Sequence, residues 1–136
     1  MFFKKKNQNN INNFTKIAAL LIHAAKIDEN FEKKEEEIII QALIKLGVSN
    51  EDLKDIMQEG KMLEENANQI LDFTKEVKNM EEDKKIKIIE TLWRIIYSNK
   101  EADMFETNLM RRLAGLMYID KKIMGDIKEK IKNENQ

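Results

Sequence analysis

The sequence predicts an all-α fold of about seven helices in a closed bundle, built as two similar three-helix halves related by a pseudo-twofold axis. Three observations predict it. Proline is absent and glycine occurs only four times in 136 residues, too little punctuation for a strand-and-turn architecture. Apolar residues recur at i, i+3, i+4 and i+7 along most of the chain, the spacing of one helix face. Core positions, caps and acids then repeat at an offset of 71 residues, as a duplicated helical unit would require. At 42% hydrophobic content the chain can build one core but not two comfortable ones.

Residues 1–13, rich in Lys and Asn and without periodicity, read as a flexible polar tail. From Phe14 the positions Ile17, Leu20, Leu21, Ala24 and Ala25 form the stripe of a first helix ending near Ile27. An acidic turn follows, then a second stripe of Ile39, Ala42, Leu43 and Leu46 that stops at Gly47, a residue that tolerates the positive φ of a helix C′ position. Ser49 offers an N-cap with Asp52 in capping-box position, and a third helix carries Leu53, Ile56 and Met57 up to Gly60. A fourth helix is expected over Ala67 to Lys78 through Ile70, Phe73 and Val77. The fifth presents Ile86, Ile89, Trp93 and Ile96, flanked by Leu92 and Tyr97, and runs into a second acidic turn. Leu109, Leu113, Leu116 and Met117 mark the sixth; Asp120 caps a seventh with Ile123, Met124, Ile127 and Ile131. The single domain spans residues 14–132, and residues 133–136 should fray.

The repeat aligns Leu21 with Leu92, Ile38 with Leu109, Ala42 with Leu113, Val48 with Ile119 and the caps Ser49 with Asp120. It also aligns acids: Asp28 with Asn99, Glu32 with Asp103 and Glu35 with Glu106. The first turn is the richer, since "IDENFEKKEEEIII" holds six carboxylates in fourteen residues. All-oxygen donors of this kind suit Ca²⁺ or Mg²⁺ rather than zinc, because cysteine is absent and histidine occurs once. The turns are not EF-hands: position twelve, where a bidentate Glu is needed, falls on Ile39 or Met110. The plainer alternative is that these acids begin helices and offset the positive end of the macrodipole, by roughly 0.3–1 kcal/mol each.

Charge narrows the partners. Twenty-four basic and 25 acidic residues leave a formal net charge of −1, so no long-range field gathers nucleic acid. Phosphate-cradling glycine loops are absent as well. Without cysteine there is no disulfide framework or thiol chemistry. Neither a signal peptide nor a membrane-spanning run is read, and a cytoplasmic location is expected. Phe2 and Phe3 followed by Lys4, Lys5 and Lys6 could give peripheral membrane contact. His23 lies off the stripe of its helix with no readable triad, Trp93 reads as core, and Arg94, Arg111 and Arg112 are expected to pair with the acidic turns.

The frame "AALLIHAAKIDENFEKKEEEIIIQAL" followed by "LWRIIYSNKEADMFETNLMRRLAGLMYI" resembles the short bacterial TerB-like proteins, related to the tellurite-resistance protein TerB. The likeness covers about Phe14 to Lys132, and its most specific part is Leu92, Trp93 and Tyr97 with the segment Glu106 to Ile119. It implies an all-helical fold of two similar halves, no enzymatic activity, and a role in cation binding and stress-related complexes at the inner face of the membrane. Carried over residue by residue, the family's acidic positions fall on Asp28, Glu32 and Glu35 in the first turn and on Asn99, Asp103 and Glu106 in the second. This chain departs from the pattern: Glu29 and Lys100 replace the usual glycines, and Asn99 is a neutral ligand with an opposing charge beside it. The expected protein is therefore non-enzymatic and works through protein partners, with weak cation binding centred on Asp28. A competing class is an enzyme using Glu35 and Glu106 as acid and base, which would need a cleft and one raised pKa.

Overall fold

The computed structural model describes residues 2–27, 33–66, 70–98 and 104–134, the side chains of 2–12 and 104–106 excepted. Those residues form seven α-helices and no strand: α1 (Phe2–Ala25), α2 (Lys33–Lys45), α3 (Asn50–Asn66), α4 (Leu71–Lys78), α5 (Glu82–Tyr97), α6 (Met104–Leu116) and α7 (Lys121–Glu134). The expected all-α class and number of helices are met among them. None of these helices is long and apolar enough to cross a membrane.

Two helices carry the core. In α5 the residues Ile88, Ile89, Leu92, Trp93, Ile95, Ile96 and Tyr97 are all buried, more than one face can hold, because α7, α2, α1 and α4 pack around it. In α1 the stripe broadens for the same reason. Every residue from Ile17 to Ile22 is buried, between α3, α4, α2 and α5. The sequence marks Leu20 and Leu21 but passes over Ala18 and Ala19, whose small size is their contribution.

That contribution is made against α3. The sequence ends this helix at Gly60, but it continues to Asn66. Gly60 is an interior residue: a Cβ there would lie 2.9 Å from the Cβ of Ala18 and 3.4 Å from the backbone nitrogen of Ala19. Glycine stands there because α1 and α3 approach backbone to backbone, which outweighs its poor helix propensity. At the other end of α1, helical backbone extends upstream of the apolar stripe to Phe2, through the segment read as a tail. Burial nevertheless begins where the stripe does, with Phe14 half-buried and Thr15 buried.

The ends of α2 and α6 are built alike. Val48 N–H donates to Leu43 C=O at 2.9 Å and Gly47 N–H to Ile44 C=O at 3.0 Å, the paired bonds of a Schellman motif. Seventy-one residues on, Ile119 N–H donates to Ala114 C=O at 2.9 Å and Tyr118 N–H to Gly115 C=O at 3.4 Å. Gly47 has φ +111° and Tyr118 φ +56°, so the backbone takes the left-handed region in both. Of the two caps that follow, Asp120 acts as the sequence reads it, and Ser49 shows no side-chain bond to the helix backbone among the described residues. Asp120 Oδ1 accepts from Lys122 N–H at 2.8 Å, whereas Ser49 Oγ donates to Asp52 Oδ2 at 3.0 Å.

Candidate functional site

Of the six acidic-turn positions, Asp28, Glu32, Asn99 and Asp103 lie outside the described residues. Glu106 falls in the first turn of α6, its side chain also outside the description. Glu35 is placed fully. It stands in the first turn of α2 with its carboxylate at the positive end of that helix, 1% exposed. Among the described residues no group of three or more His, Cys, Asp or Glu side chains is arranged to hold a metal.

What Glu35 meets was not legible in the sequence. Ser98, the residue before the second turn, sets its hydroxyl 3.4 Å from Glu35 Oε1 and 2.6 Å from the carbonyl of Ile95. One hydroxyl proton cannot serve both, and the shorter contact to Ile95 has the stronger claim. Next to Glu35, the Lys34 ammonium donates to the Ser98 carbonyl at 2.9 Å, at the C-terminal end of α5 where a cation is favoured. The chain on either side of this junction is Asp28–Glu35 and Ser98–Glu106. Of the candidate residues, Glu35 is the one the described structure sets at this junction, the start of α2 against the end of α5.

Beside the junction runs a groove of about 670 Å³ walled by α2 and α7 over α5. Five cations line it, Lys34, Lys45, Lys87, Arg94 and Lys130, against two carboxylates, Glu37 and Glu90; Ile38, Ala42 and Thr91 supply less polar surface. Two of the cations are ion-paired. Lys130 Nζ bonds Glu90 Oε2 at 2.6 Å, and Arg94 grips both oxygens of Glu134 at 3.2 and 3.3 Å. This corrects the expectation that Arg94 serves an acidic turn: its carboxylate comes from the end of α7, 40 residues away in sequence. The exposed Lys34, Lys45 and Lys87 leave the groove net cationic although the whole chain is balanced.

A second cluster lies between α1 and α3. Glu64 accepts from the Lys26 ammonium at 2.7 Å and meets His23 Nδ1 at 3.2 Å, with its own side chain 12% exposed. Burial pushes the Glu64 carboxyl up, but the hydrogen bonds and charges of Lys26 and His23 together outweigh it and hold it below the usual carboxylate value. His23 is a partly exposed flank residue, as expected, and its partner escaped notice because the sequence ended α3 before Glu64. Trp93 is core, 2% exposed. Its indole N–H donates to Met124 Sδ at 3.3 Å, and its ring stacks on Tyr97 at 5.9 Å between centroids.

A family model described as tellurite resistance protein TerB matches residues 14–129. No curated protein and no solved structure matches the chain.

Proposed function

The chain belongs to the tellurite resistance protein TerB family, and on that premise we propose that it is a non-enzymatic cytoplasmic interaction module in a stress context related to tellurite resistance. It binds partner proteins through the α2/α5/α7 groove and takes up a divalent cation, Ca²⁺ or Mg²⁺, weakly at the Asp28–Glu35 turn. The observation that carries this reading is the double position of Lys34, which ties the junction through Ser98 and also lines the groove. A cation held by Glu35 and its neighbours in the turn repels the Lys34 ammonium. That repulsion keeps affinity low, and it passes cation occupancy to the groove as a shift in one of its charges. Recognition of an acidic protein surface suits such a groove, because complementary charge speeds encounter and selects partners.

The experiment is a backbone NMR titration with Ca²⁺ and Mg²⁺ on the wild type and on the Asp28→Asn, Glu35→Gln double variant. Saturable shifts across residues 28–35 that reach Gln41 and Lys45 in the wild type, and vanish in the variant, are expected. No saturable shift at millimolar metal removes the cation from the reading and leaves the acids as helix-start residues. Shifts confined to the turn, with the groove unmoved, refute the coupling through Lys34.

A further inference from the structure

Three glycines lie inside helices, and only Gly60 is accounted for by internal packing. At Gly115 in α6 and Gly125 in α7 a Cβ would meet nothing within 4 Å, and neither has a positive φ. Alanine is the more stable residue at such positions, so the folding of this chain alone does not call for glycine at either.

Both line a single open groove between α6 and α7, of about 350 Å³. Its floor is formed by the buried Trp93, Met110, Ala114 and Met124; its rim carries Arg111, Lys121 and Lys128, and among the described residues lining it there is no carboxylate. Arg111 and Lys121 are exposed, and the Lys128 ammonium lies 5.4 Å over the Trp93 ring.

We infer that this groove docks an acidic amphipathic helix of a partner protein, on a surface separate from the α2/α5/α7 groove and independent of cation binding. The three cations on its rim select for carboxylates flanking an apolar stripe. The missing Cβ atoms at Gly115 and Gly125 let the incoming helix approach α6 and α7 closely. A groove open to solvent accepts a helix face, whereas a small molecule is better held by an enclosed pocket.

The test starts with selection from a random displayed library of helix-forming peptides, followed by NMR mapping of a winning peptide on the full chain. Enriched peptides should carry Asp and Glu beside apolar residues at helical spacing, and should shift the amides of Gly115, Gly125 and Lys128. The Arg111→Glu, Lys128→Glu variant should weaken that peptide by about tenfold or more. Gly115→Ala and Gly125→Ala should each raise Tm yet lower affinity, a pairing that a purely structural glycine cannot produce. Several results overturn the inference: selection without acidic enrichment, shifts mapping to another face, equal binding by polyglutamate, or a Tm lowered by either alanine. Absence of any enriched peptide does so too.

Discussion

In α3 position 60 is glycine; 71 residues on, in α7, the matching position is Ile131, fully buried. α3 packs on α1 and α7 packs on α5, with different residues at the two seams. Against α3, α1 brings Ala18 and Ala19, and the backbones close to where a single added carbon would collide. The α5 side instead offers larger residues in this register, with Ile89 opposite Ala18 and Glu90 opposite Ala19 in the repeat, and α7 answers with isoleucine. One pattern of helix contacts thus accommodates both a small-residue and a large-residue seam, because the volume lost at one position is recovered by approach or by bulk.

The largest effect that would break this comparison is at Ile131. Ile131→Ala leaves a cavity in a seam held apart by its neighbours and should cost about 2–5 kcal/mol in urea denaturation. Gly60→Ala fails in the opposite sense, by overpacking, at about 1–3 kcal/mol. Adding Ala18→Gly to Gly60→Ala should recover part of that loss, since the Ala18 Cβ is the nearest obstacle at 2.9 Å; a strictly additive double variant would show that the seam is not set by this contact.

A finer version of the same comparison sits at the Schellman turns. Gly47 and Tyr118 occupy matching positions with matching hydrogen bonds, but an L side chain in the left-handed region costs about 1–2 kcal/mol. Gly47→Ala should therefore destabilise by about 1 kcal/mol. Tyr118→Gly should stabilise by less than about 1 kcal/mol, because relief of strain is set against greater chain entropy and the loss of the Lys78 ammonium 4.5 Å over the Tyr118 ring. Tyr118 is 71% exposed, so little burial is forfeited, and a Tm series on the wild type and the two variants orders them.

The smallest effect concerns pH. Glu64 has its folded pKa below the ordinary 4.5, so the stability it contributes is present above the unfolded value and is lost as pH falls through the folded one. Acid titration of stability should be flatter for Glu64→Gln than for the wild type. Partial exposure of Lys26 and His23 keeps the difference within about 1 kcal/mol after solvent screening. Curves that stay parallel below pH 4.5 would show that the pair does not hold the carboxylate charged.

How much of this was legible beforehand varies with the range of the interaction involved. Ile39, Leu43, Leu92, Leu113 and Ile131 appear in the core because helical periodicity sorts faces locally, and the turn at Gly47 follows from one residue's backbone freedom. Gly60 misled because a glycine that ends a helix and one that permits close approach look the same until the opposing helix is known. The extent of α3 was lost with it, and so was Glu64. Arg94 was assigned to an acidic turn nearby in sequence, but α7 delivers Glu134 to it. Within the candidate site, Glu35 was picked out by its spacing; its contact with Ser98 and the place of Lys34 in a cationic groove were not.

By itself the sequence determined the helical class, the number of helices and most of their inward faces, the turn at Gly47 and the family likeness, all written in spacings of a few residues or in short motifs. Only the tertiary structure decided which seam is tight, which carboxylate meets which cation, and that two unforced glycines share a groove with three cations. Those are contacts between residues some 30 to 60 positions apart, and no local pattern encodes the distance between two helices once they pack.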